Sequence, residues 1–282
     1  MILAGLLVPV VSSAAALEAP RYLGPKPPKE IRRVVTLAPS ITEIVLALDA
    51  GDRLVGVSRF DELPEVKSVA RVGGFVDPNI EAILALRPDL VLVQPSPGNQ
   101  RPVQKLAELR TPVLALPMHT VAQTLSSILE VGRALGRSER AVELARAIES
   151  TRARIRSLAP PGRRPRVLVV YEWEPLVVAG PGSFADELLR DAGAANAAHK
   201  ARTPFPVYPM EAAVAAAPDV VVDAAHDPAA ASRYRALAGF SGARWVRLPS
   251  GDLMHPGPNL ARGLEDLYRA IHAGGADAGA AP

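Results

Sequence analysis

The chain has 282 residues, 49% of them apolar, with a formal net charge of +3 and no cysteine. That length allows one large domain or two ordinary ones, and that composition allows a substantial core. Arg and Lys are interspersed with Asp and Glu, without the basic stripe of a phosphate-tracking protein, which speaks against nucleic acid as a partner. Disulfides, thiol catalysis and cysteine-held metals are excluded.

The chain opens on a short apolar run, MILAGLLVPVV, followed by the small residues SSAAA. This reads as a signal peptide over residues 1–16, too short for the roughly 20 residues a membrane span needs. No Lys or Arg precedes the run, so either the signal is atypical or the true start lies a few codons earlier. With no cysteine after it, the expected mature protein is free and soluble outside the cytoplasm, not lipid-anchored. Residues 17–31 are Pro-rich and read as an extended lead-in.

From Arg33 strands alternate with helices. RVVTLAP is a strand, and SITEIVLALDAG a helix with Ser40 and Glu43 placed as a capping box. DRLVGVS, LVLVQ and PVLAL follow as strands, with helices from about Pro78 and over PVQKLAELR. The unbroken Val/Leu runs fit a parallel sheet covered on both faces. Residues 32–118 are therefore expected to form one doubly wound lobe. Residues 119–162 carry only helical periodicity, broken at Gly136, with Ser138 as the expected cap of a hinge helix about 30 Å long. The α/β pattern then restarts over residues 163–272, with strands RVLVVYEW, LVVAG, PDVVVD and WVRLP and helices at FADELLRDAG, SRYRALAGF and PNLARGLEDLYRAIHAG. Residues 273–282, mostly Ala and Gly, read as a frayed tail. The expected fold is thus two doubly wound α/β lobes with parallel-rich sheets, joined by one long backbone helix, with a ligand cleft between them.

One unit is written twice. IEAILALRPDLVLV at residues 80–93 returns as MEAAVAAAPDVVVD at residues 210–223, with Glu, Pro and Asp at the same places. Glu81 and Glu211 fall in the first turn of a short helix, where the macrodipole stabilises a carboxylate. Their matched placement, once per lobe, puts two acidic points on one surface, a geometry for docking a two-fold symmetric partner with basic sockets.

No G-x-S-x-G elbow, P-loop or G-x-G-x-x-G is present, so no catalytic residue is predicted. The five histidines are scattered and make no zinc-ligand spacing. His255, in the loop LMHPGPN, is either an exposed loop residue or a ligand contact. Aromatics are only 4% of the chain, yet Phe60, Phe75, Tyr171, Trp173, Phe205 and Tyr208 cluster at strand ends and adjoining loops. Open α/β sheets bind ligands there, and at least three of these rings are expected to line one cleft that takes a large planar ligand.

RVVTLAPSITEIVLAL, RLVGVSRF, VGGFVDPNIEAILALRPDLVLV and GSFADELLRDAGAAN, in that order, resemble the helical-hinge (class III) periplasmic substrate-binding proteins of ABC importers for cobalamin, ferric siderophores and haem. The resemblance runs from about Arg32 to the end of the last helix. It implies capture of a metal-chelate nutrient, with cobalamin favoured and a haem or ferric siderophore as alternatives. It implies a monomer with no resident cofactor or metal, delivering to the dimeric permease of the inner membrane through Glu81 and Glu211. The cobalamin type places pocket aromatics where Phe60, Phe75, Tyr171 and Phe205 stand, and its ligand-contacting loop matches that of Asp252. A haem would need an axial ligand, for which Tyr171, Tyr208 and His255 are candidates. An anionic siderophore would draw on Arg59, Arg71 and Arg202. The rival readings are a chelatase-like enzyme and an extracytoplasmic sensor.

Overall fold

The structure, a computed structural model, describes residues 19–225, 227, 230–248, 253 and 255–272. Its first sheet holds β1 (Arg21–Leu23), β2 (Val34–Thr36), β3 (Leu54–Val57), β4 (Ala70–Arg71), β5 (Leu90–Val93) and β6 (Val113–Ala115). These lie in the order β1-β6-β5-β2-β3-β4, every pairing parallel except that of β1 with β6. Three helices serve this sheet: α1 (Pro39–Ala47), α2 (Ile80–Ala85) and α3 (Gln100–Glu108). The chain then runs through α4 (Val121–Ala134) and α5 (Ser138–Leu158). The second sheet holds β7 (Arg166–Trp173), β8 (Leu176–Val178), β9 (Ala195–Asn196), β10 (Val220–Asp223) and β11 (Arg244–Val246). Its order is β11-β10-β7-β8, with β9 also paired to β7 and only β8 antiparallel. Its helices are α6 (Phe184–Asp191), α7 (Met210–Ala215) and α8 (Leu260–His272). Among the described residues no helix is long and apolar enough to cross a membrane.

The Val/Leu runs are buried on both faces because successive side chains serve different cores. In β5, Leu90 and Leu92 join a core shared with α4 and α5, while Val91 and Val93 face a separate outer core under α2 and α3. In β7, Val167 and Val169 enter the same shared core, while Leu168 and Val170 face the second lobe's own outer core. One apolar cluster therefore runs from Ile41 in α1, through Leu135 and Ile148 of the linker, to Leu264 in α8.

The linker helices turn at Gly136, whose φ of +64° is strained for other residues. Around it the Arg137 amide donates to Gly132 O at 2.7 Å and the Gly136 amide to Arg133 O at 3.3 Å, the Schellman pattern that ends a helix. Arg152 of α5 is largely buried, and its guanidinium reaches Asp191 at 2.6 Å and Glu187 at 3.5 Å, both on α6. Burial pushes the Glu187 carboxyl above its usual range, against the pull of Arg152. On the first-lobe side, Arg53 donates to Leu135 O at 2.8 Å and Arg137 to Asp49 O at 3.3 Å.

The repeated unit folds the same way twice. Glu81 and Glu211 are exposed, Ile83 and Ala213 are buried, and Arg87 and Ala217 both turn through positive φ, at 44° and 41°. The aspartate after each proline clips onto the neighbouring strand. Asp89 accepts from the Arg33 amide at 2.8 Å, and Asp219 from the Arg166 amide at 2.7 Å. In return the Asp89 amide donates to Arg33 O and the Asp219 amide to Arg166 O, each at 2.8 Å.

Several local expectations change. Ser40 and Glu43 form no capping box: the cap is Ala38, Ser40 is buried in the first turn and Glu43 turns to other partners. Ser138 is the first residue of α5, one past its cap Arg137. The lead-in is not merely extended, because its β1 covers the edge that β6 would otherwise leave unpaired. SRYRALAGF is not an α-helix: a 3-10 turn, Ala230–Arg233, ends on its first two residues, and turns follow. Residues 1–16 and 273–282 lie outside the described residues.

Burial opposes ionisation of Asp219, but the Arg166 amide and the Arg163 and Arg166 guanidinium groups hold its carboxyl below the usual carboxylate range. A depressed folded pKa gives stability that is full above the unfolded value and lost as pH falls through the folded one. Asp219→Asn should therefore cost about 1–3 kcal/mol at pH 7. The difference from wild type should vanish well below about pH 4. Urea unfolding at several pH values measures both; a penalty that persists at low pH would show the clip is not ionic.

Candidate functional site

The carboxyl ends of parallel strands are where open α/β sheets leave room for ligands. Contacts at those ends also join the two lobes. The Phe184 amide at the head of α6 donates to His119 O at 2.6 Å, just before α4. Glu43 on α1 accepts from Asn259 Nδ2 at 3.3 Å and lies 3.5 Å from His255 Nε2. His255 is thus a half-buried inter-lobe contact.

Three rings of the second lobe meet here. Phe205, 37% exposed in the loop after β9, lies 5.7 Å from Tyr171 and 6.2 Å from Phe184, centroid to centroid. The His119 ring stands 6.1 Å from Phe205. Two polar atoms of these rings are buried without a hydrogen-bond partner: Tyr171 OH and His119 Nδ1. Burial pushes the Tyr171 phenol far up and the His119 imidazole down, so both are neutral at pH 7. A buried donor or acceptor left unpaired is costly, which sets both atoms apart from the rest of the core.

Phe60 and Phe75 stand on the first lobe. Phe60 is 56% exposed, and no described ring contact ties either residue to the Phe205 cluster. Phe75 is half-buried, and its carbonyl accepts from Asn99 Nδ2 at 3.1 Å. Asp61, next to Phe60 in the chain, is 2% exposed, and neither of its carboxylate oxygens accepts a hydrogen bond. Burial raises its pKa, tempered by Thr42 and Arg71.

Trp173 is not a cleft residue. Pairing between β7 and β8 shifts register between Val170 and Glu172, which makes Tyr171 an extra residue on β7. Such a bulge reverses the alternation beyond it. Tyr171 packs against the shared core, while Trp173, 1% exposed, turns to the outer core between Tyr234 and Trp245 and donates to Asp223 Oδ1 at 3.0 Å. Tyr208 is likewise buried in the outer core, which removes it as an axial ligand. Asp252 lies outside the described residues. His119 escaped the sequence reading, although its place just past β6 marks it as a strand-end residue.

A sequence profile described as "Periplasmic binding protein" matches residues 34–238. The chain belongs to the periplasmic binding protein family. One relative, the vitamin B12-binding protein of Yersinia pestis (strain Pestoides F), is 28% identical over 197 residues, 70% of either chain. The apo periplasmic haem-binding protein RhuT of Roseiflexus sp. RS-1 superposes with a TM-score of 0.74 at 26% identity, covering 86% of this chain and 98% of its own. The periplasmic vitamin B12-binding protein BtuF of Vibrio cholerae gives 0.74 at 23% identity over 86% of this chain and 97% of its own, a likeness of fold. Both match the two-lobed α/β architecture found here.

Trp173→Phe should lower stability by about 1–3 kcal/mol, because it removes a buried hydrogen bond to a carboxylate. It should leave ligand affinity unchanged, as read by chemical denaturation beside isothermal titration. Loss of affinity without loss of stability would return Trp173 to the cleft.

Proposed function

We propose that this periplasmic binding protein captures a metal-chelate nutrient, cobalamin in first place, and hands it to the permease of an ABC importer. One observation carries the proposal: two exposed glutamates occupy the same turn of the same structural unit, one per lobe, beside strand ends furnished with aromatics. Neither Glu81 nor Glu211 makes an ion pair or side-chain hydrogen bond among the described residues, so the structure gives them no internal duty beyond the helix dipole. Charge pairs of this kind steer encounter and fix orientation. The names of the relatives, vitamin B12-binding and haem-binding, point the ligand toward a large planar chelate. The unpaired Tyr171 and His119 atoms favour a haem as the second reading, since a phenol and an imidazole are metal-ligating groups.

In this reading the protein does no covalent chemistry. It is exported by its leader, works as a soluble monomer and meets a two-fold symmetric permease through its two glutamates. The shared core through α4 and α5 makes the hinge stiff.

Glu81→Ala combined with Glu211→Ala should abolish uptake in cells while leaving chelate affinity intact. An equal loss of affinity would place those carboxylates in the pocket and overturn the docking role. Cyanocobalamin, haemin and ferric siderophores, titrated against intrinsic tryptophan fluorescence, should show one chelate saturating at a single site without turnover. Small-angle scattering should detect only a slight compaction on binding; a large one would sink the stiff hinge.

A further inference from the structure

Phe60 is too exposed for packing alone to fix its ring, yet the ring is held. The Arg59 guanidinium lies over it, 5.1 Å from the centroid. One nitrogen of that guanidinium reaches both carboxylate oxygens of Asp77, at 2.8 and 2.7 Å. The backbone closes the arrangement: the Arg59 amide donates to Gly73 O at 2.8 Å, and the Gly74 amide to Asp77 O at 3.3 Å. Gly74 leaves the space for it. A Cβ there would lie 2.4 Å from Asp77 Oδ1, 2.9 Å from the Arg59 guanidinium and 3.0 Å from Phe60 Cε2.

Arg59 and Asp77 are each about half exposed, so their ion pair adds little to folding stability. Its effect is local. The guanidinium covers one face of the ring, and the carboxylate cancels its charge. We propose that Arg59, Asp77 and Gly74 position Phe60 as a flat wall and neutralise the rim, selecting neutral chelates over polyanionic ferric ones. The inference rests on the receptor reading above and deepens it. Arg59, one of the three arginines that an anionic siderophore would draw on, is occupied by Asp77.

Asp77→Asn frees the cation. Affinity for ferric enterobactin, an anionic probe, should then rise relative to cyanocobalamin, a neutral one, by about fivefold, the effect of one unit charge near a solvated anion. Adding Arg59→Met should erase that gain, which a purely structural role for the pair does not predict. An unchanged ratio, or an equal fall for both probes, overturns the proposal. If the wild-type protein binds neither probe, nor haemin, the receptor reading fails, and the wall is judged separately by fluorine NMR of 4-fluorophenylalanine-labelled protein. There the Phe60 resonance, identified by its loss in Phe60→Leu, should move in both Asp77→Asn and Gly74→Ala. A resonance unmoved in both variants would dismiss the wall on its own account.

Discussion

Two carboxylates hold the architecture in register. Asp89 and Asp219 each take a backbone amide at the start of the neighbouring strand and return one to its carbonyl. The same contacts, made in both lobes, fix where β5 lies against β2 and where β10 lies against β7. A one-residue slip in either pair would turn every buried valine and leucine to the wrong core. The clip also fixes the short helix before it, because only a single turn through positive φ separates the two. Glu81 and Glu211 inherit their matched positions from this arrangement. The Pro-Asp pair thus has a structural duty, and the glutamate is the member of the unit without one.

The cleft chemistry follows from two departures from regularity. The extra residue at Tyr171 lets neighbouring positions on one strand serve two purposes, with a phenol turned to the Phe205 ring and an indole turned to the outer core. The Arg59–Asp77 pair silences a charge that composition alone would count as basic. In the proposed reading they together line the cleft with rings and a few buried polar atoms, Tyr171 OH and His119 Nδ1 among them. Such a surface discriminates by shape and by a small number of hydrogen bonds.

Much of this was legible in the residues. Val/Leu runs announced buried parallel strands, and the repeated unit announced equivalent halves. The long charged helix showed itself by length and by its stops. What stayed hidden depended on contacts between distant segments. Nothing near Trp173 reports the register shift that buries it, since the shift is defined by pairing with β8. His119 carries no motif and gains its role only when Phe184 and Phe205 arrive from the other lobe. The two-residue strands β4 and β9 are too short for any periodicity to register. Ser40 and Glu43 satisfy the spacing of a capping box, but the helix starts earlier, at Pro39, so that both side chains fall inside its first turns.

The apolar cluster that crosses from Ile41 to Leu264 without a break makes the molecule a calliper with a thick spine. In such a tool the jaws cannot swing freely, and the span between the tips is set by the packing of the spine. In the proposed reading, whatever meets those tips from outside finds a nearly fixed gauge, and occupancy reaches it as a fine adjustment of span and tilt.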